Sequence, residues 1–230
     1  MIACALVATW WTGPSQRCLF SSVSIHDINY QRWMNSVVHS GSKDHVLGYV
    51  RSLSHCRAGL DPGTRYRMRD LAEESGEYLS ALCGIRSLAL FNISLEHSDR
   101  EAFRTCFSTF RGTLTSLSLG NFATSFSAFA ALVDYLPSIT ELELDPLVLK
   151  PDETPVSLLS RPLRGKILVH EVNTDDLEFF NRFAALDLEY EELVIDSPFL
   201  YMGSKFLESA LQISPGTVKF LKVTSEIDCG

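Results

Sequence analysis

The amino-acid sequence predicts an α/β solenoid, with a parallel β-sheet on a concave face and helices behind it. Three observations carry that expectation. A six-residue phrase, apolar-x-x-apolar-x-apolar, returns along the chain, as in Leu114/Leu117/Leu119 and again in Ile139/Leu142/Leu144. Between the phrases the apolar spacing changes to three and four residues, the pattern of an amphipathic helix. Finally, 46% of the 230 residues are apolar, enough for a continuous core.

The copies of the phrase, in order, are Phe20/Val23/Ile25, Val50/Leu53/His55, Ile85/Leu88/Leu90, Leu114/Leu117/Leu119, Ile139/Leu142/Leu144, Arg164/Ile167/Val169, Tyr190/Leu193/Ile195 and Val218/Leu221/Val223. Their first members are 30, 35, 29, 25, 25, 26 and 28 residues apart, and most steps fall in the range of roughly 20–29 residues typical of leucine-rich repeats. The second and third apolar residues of each phrase are two apart. They therefore point to one side of a strand while their neighbours point to the other. A strand, a turn, a helix and a return loop make one coil. Neither its strand nor its helix can bury its apolar side alone, so successive coils stack. The expected fold is a leucine-rich-repeat-like solenoid of about eight units over residues 20–230, with residues 1–19 as an N-terminal cap.

The elements follow in order. Residues 4–19 read as a helix covering the apolar end of the first coil. The segment Cys56–Glu77, "CRAGLDPGTRYRMRDLAEESGE", lengthens one step to 35 residues and reads as a polar loop inserted on one edge. Its Arg65, Arg67 and Arg69 alternate. Ser98 and Glu101 form a capping box for a helix carrying Phe103 and Phe107. In Thr124–Leu136 the residues Phe126, Phe129, Ala130, Val133 and Leu136 make one stripe that ends at Pro137. Asp175 and Asp176 suit a helix N-terminus, and Phe206, Leu207, Ala210 and Leu211 form a further helical stripe. Asn92 and Asn121 lie one residue before the position of the usual repeat asparagine, so no regular asparagine ladder is expected.

Charge and cysteine content narrow the function. The formal net charge is −8. It is uneven: residues 1–111 carry 12 Lys+Arg against 10 Asp+Glu, and residues 112–230 carry 8 against 18. Nonspecific nucleic-acid affinity needs clustered cations, so nucleic acid is a poor partner. Cys4, Cys18, Cys56, Cys83, Cys106 and Cys229 stand far apart, with no C-x-x-C, and read as reduced, mostly buried thiols of an intracellular protein, cytoplasmic or nuclear. The N-terminal "MIACALVATWW" is too short to span a bilayer, so no membrane association is expected. Asn92-Ile93-Ser94 matches the glycosylation triplet, but nothing else in the chain argues for secretion.

The stretch "CALVATWWTGPSQRCLFSSVSI", Cys4–Ile25, resembles the end of the F-box in fungal F-box-like leucine-rich-repeat proteins. Leu6, Val7, Trp11, Leu19, Phe20, Val23 and Ile25 are the matching positions. "RGTLTSLSL", "LSRPLRGKILVHEV" and "LEYEELVI" are similar to phrases of the same group. The resemblance implies repeats that capture the substrate of a cullin-RING ubiquitin ligase. It also implies an adaptor-docking module of which residues 1–19 are a remnant, with Leu6, Val7 and Trp11 as adaptor contacts and the N-terminal part of the F-box missing.

No nucleophile elbow, phosphate-cradling loop or zinc-protease motif occurs, so no enzyme, cofactor or metal is expected. His55 occupies an inward phrase position and reads as a hydrogen-bonded core residue. The outward residues beside the phrases are instead expected to line the concave face: Ser87 and Ala89, Ser116 and Ser118, Glu141 and Glu143, Lys166 and Leu168, Glu192 and Val194, Phe220 and Lys222. Small residues permit close approach, and Glu141, Glu143 and Glu192 favour Lys or Arg on a protein partner. Phe220 is the expected anchor.

Overall fold

The computed structural model describes residues 9–39, 46–56, 65–96, 99–150, 164–170, 189–196 and 219–224. Helix α1 spans Thr9–Phe20 and leads directly into strand β1, Ser22–His26. Helix α2, Asp27–Trp33, follows, continued by a π-helical turn over Met34–Val38. Then come β2 (Ser52–Cys56), β3 (Tyr66–Arg67), α3 (Met68–Ala81), β4 (Ser87–Phe91), β5 (Ile93–Leu95) and α4 (Arg100–Phe107). The remaining elements are β6 (Ser116–Ser125), α5 (Phe126–Tyr135), β7 (Glu141–Lys150), β8 (Arg164–His170), β9 (Glu189–Asp196) and β10 (Phe220–Thr224).

All pairings are parallel, and the main ladder runs β1-β2-β4-β6-β7-β8-β9-β10. That order is the chain order of the eight repeated phrases, as expected for a leucine-rich-repeat-like solenoid. The second phrase position forms one inward row, Val23, Leu53, Leu88, Leu117, Leu142 and Ile167. The third forms another, Ile25, His55, Leu90, Leu119, Leu144 and Val169. From Val23 to Val169 these residues are buried. The space between sheet and helices is filled by Tyr78, Phe103, Phe107, Phe110, Phe122, Phe126 and Phe129, all fully buried. Each such side chain contributes roughly 1.5–3 kcal/mol on burial.

Helix α5 carries the predicted stripe, and Phe126, Phe129, Ala130, Val133 and Leu136 are all buried. It begins two residues later than the apolar spacing indicates. Strand β6 runs on to Ser125, whose Oγ accepts from the Ala128 N–H and caps the helix. The cause is a second, short parallel ladder: β3 pairs with β5, β5 with the end of β6, and the end of β6 with the end of β7. Each middle coil thus has two strands separated by a corner.

One sequence expectation needs correction. A polar loop over residues 56–77 does not hold, because Cys56 ends β2 and because β3 and the 14-residue helix α3 occupy 66–81. Met68, Leu71, Ser75, Tyr78 and Leu79 form a buried helical stripe, which the interleaved charged residues conceal. Helix α4 starts after Asp99, whose carboxylate accepts from the Glu96 N–H. Ser98, expected to cap this helix, lies outside the described residues, as do the helices expected from Asp175 and around Phe206.

Candidate functional site

The parallel register aligns the outward side chains of the main ladder into rows that cross the sheet. One row runs Ser22, Ser52, Ser87, Ser116, Glu141, Lys166, Glu192, Phe220. The next, two residues further along each strand, runs Ser24, Ser54, Ala89, Ser118, Glu143, Leu168, Val194, Lys222. All twelve outward positions singled out from the sequence fall in these two adjacent rows. Ser22, Ser24, Ser52 and Ser54 extend them towards the N-terminus, and the same phrase arithmetic applied to β1 and β2 identifies them. At about 4.8 Å per strand, a row of eight strands is about 34 Å long.

Chemistry divides the face at β6. From β1 to β6 both rows hold only serine and alanine, so a partner's backbone can come close. From β7 to β10 they hold charged and apolar groups. Lys166 Nζ lies 3.6 Å from Glu192 Oε1. His170 Nε2 lies 3.3 Å from Glu143 Oε1, an ion pair when the imidazole is protonated. Glu141 is in register with Lys166 but enters no ion pair among the described residues. Phe220 stands 53% exposed at the other end of the same row.

A third outward row holds His26, Cys56, Phe91, Gly120 and Asp145. The Phe91 ring lies so close over Gly120 that any Cβ there would collide with it. Ser24 Oγ and His26 Nε2 are 2.8 Å apart, a contact between residues two apart on one strand face that sequence reading did not single out. Cys56 stands opposite His26. Burial and then the charge of Asp27 push its thiol above the ordinary value, which works against a thiolate nucleophile.

The arginines singled out in the sequence hold the fold together. Arg65 donates to the Asn121 carbonyl and side chain at 2.9 and 2.7 Å. Arg67 pairs with Asp70 through two bonds of 3.1 Å, and Arg69 reaches the buried Asp99 at 3.5 Å. Asn92, the acceptor of the glycosylation triplet, is engaged by Asn121, and Ser94 is buried. His55 is a core residue as expected, and Tyr78 Oη lies 3.0 Å from its Nδ1. Of the described cysteines Cys106 is buried and Cys56 half-buried. Cys18 and Cys83 are exposed, which corrects the expectation of mostly buried thiols: Cys18 lies in an exposed stretch of α1 and Cys83 follows the end of α3. Of the expected adaptor contacts, Trp11 belongs to α1, while Leu6 and Val7 lie outside the described residues.

Two solved structures resemble the chain weakly. The leucine-rich-repeat-containing protein LegL7 from Legionella pneumophila is 13% identical, with a TM-score of 0.40 over 80% of this chain and 69% of its own. A Bacteroides fragilis protein is 12% identical, with a TM-score of 0.41 over 88% of this chain and 52% of its own, so this chain spans about half its length. No protein-family model and no curated protein matches the chain. Among the described residues no helix is long and apolar enough to cross a membrane, and no group of three or more His, Cys, Asp or Glu could hold a metal ion.

Proposed function

We infer that this chain is a protein-binding scaffold, without catalytic activity, whose concave sheet recognises a segment of another protein. The observation that carries the reading is the parallel register of the eight main strands. It sets Ser87, Ser116, Ser118, Glu141, Glu143, Lys166, Glu192, Val194, Phe220 and Lys222 in two adjacent rows on one face. A partner lying on that face touches many coils at once. The surplus of carboxylates over ammonium groups in the rows favours a basic segment, in keeping with the acidic C-terminal half.

The narrower reading, substrate capture for a cullin-RING ubiquitin ligase, rests on the F-box-like residues around Trp11. The alternative is a stand-alone interaction module. Affinity capture from native extract separates them, with Leu117→Asp as the unfolded control. Recovery of the ligase adaptor by the native chain alone supports the ligase role, and retention of other proteins without adaptor supports the stand-alone module. The face itself is tested by Glu141→Lys with Glu143→Lys. Both side chains are outward, so the circular dichroism spectrum is expected to be unchanged while basic partners are lost. Undiminished capture by the folded variant would place binding elsewhere.

A further inference from the structure

The two rows say more about the partner than that it is basic. In the row Glu141, Lys166, Glu192, Phe220, one lysine stands between two glutamates and lies 3.6 Å from Glu192. Among the described residues Glu141 enters no ion pair, which leaves its carboxylate for a cation from outside. At the far end Phe220 is 53% exposed. The two groups are three strands apart, about 14 Å at the usual inter-strand spacing.

An extended chain advances about 3.3–3.6 Å per residue, so four residues cover that distance. Successive side chains of an extended chain point to opposite sides. Residues i and i+4 therefore face the sheet together, whereas a spacing of three or five turns one of them away. A helix would need about nine residues for the same distance.

We propose that the partner presents an extended segment lying across strands β7 to β10, with a Lys or Arg over Glu141 and a large apolar side chain over Phe220, four residues apart. The residue midway between them faces the Lys166–Glu192 pair. This inference rests on the concave-face reading and narrows it to one ligand geometry.

The test is a displayed library of random 12-residue peptides panned on the purified full chain, with Glu141→Gln and Phe220→Ala as counter-screens. The expected result is enrichment of a basic and an apolar residue at a spacing of four over three and five. Selected peptides, followed by fluorescence anisotropy, are expected to bind each variant roughly ten-fold more weakly. Enrichment at another spacing, including nine, overturns the inference, as does binding indifferent to both substitutions or no enrichment at all. The wider reading falls separately, by undiminished capture of partners with the folded Glu141→Lys/Glu143→Lys variant.

Discussion

Asn121 donates its side-chain Nδ2 to Oδ1 of Asn92, one coil earlier, at 2.9 Å. Both residues hold left-handed backbone, with φ of 45° and 63°, and the Asn92 N–H donates to the Gly120 carbonyl at 2.8 Å. Arg65 completes the line by donating to Asn121 Oδ1. This is the corner at which each middle coil leaves the main ladder for the second, shorter one. Asparagine tolerates the left-handed region because its short amide bonds locally, and here the amide also ties neighbouring coils.

Replacing Asn121 separates those two contributions. Asn121→Ala loses the side-chain bonds with Asn92 and Arg65 and keeps a Cβ in a left-handed position, so a loss of about 1–2 kcal/mol is expected. Asn121→Gly loses the same bonds but relieves the backbone, and its urea midpoint is expected to lie between that of the native chain and that of the alanine variant. Equal midpoints for the two variants would show that backbone conformation contributes nothing at this corner.

The buried pair His55 and Tyr78 invites a double-mutant cycle. His55 lies between Ile25 and Leu90 in an otherwise aliphatic row, and Tyr78 Oη reaches its Nδ1 at 3.0 Å. Tyr78→Phe and His55→Leu each remove one side of a buried hydrogen bond, at a cost of about 1–3 kcal/mol. Removing both sides together leaves an apolar row, so the double variant is expected to lose less than the two single losses added. Strict additivity in the unfolding free energies would mean that the bond is energetically silent.

Cys106 should report on the core. Burial pushes its thiol from 9.0 up to about 12. The unfolded thiol gives up its proton near 9 while the folded one keeps it, so the contribution is complete below pH 9 and is lost between pH 9 and 12. Alkylation mapped by mass spectrometry at pH 8 is expected to modify the exposed Cys18 and Cys83 readily, and Cys106 only once urea unfolds the chain. Early modification of Cys106 in the native protein would contradict its packing.

What was legible in the sequence was whatever repeats with a fixed period. The inward leucines such as Leu117 and Leu119 identified the strands, and counting from them placed Glu192 and Phe220 in the right row. That held even though a bulge between Gly165 and Lys166 shifts the β8–β9 ladder by one residue, because the shift lies before the second phrase position and Ile167 and Leu193 stay paired. The stripe of α5 was legible for the same reason. Helix α3 was not, because arginines and glutamates fill the positions between Met68, Leu71 and Tyr78 and make an amphipathic helix look like a polar loop. The corner ladder was not legible either: Asn92 and Asn121 meet only once the register is known. The contacts of Lys166 with Glu192, and of His170 with Glu143, depend on distances across strands that no single stretch of sequence contains.

Gly165 tests how far the coils depend on one another. Its φ is 123°, and a Cβ there would run into the Thr140 carbonyl, the same oxygen that accepts from the Lys166 N–H at 2.8 Å. Gly165→Ala must therefore strain the backbone or push β8 away from β7, with an expected loss of about 1–3 kcal/mol. In a solenoid each coil touches only its neighbours, so the damage should be local. Amide hydrogen exchange is expected to speed up in β7, β8 and β9 while β1, β2 and β4 keep their protection. Lys166 would shift with its strand, and the peptides that read Glu141 and Phe220 should weaken with it. Equal loss of protection from β1 to β9 would mean instead that the sheet opens as one cooperative unit, and that the concave face is built and lost as a whole.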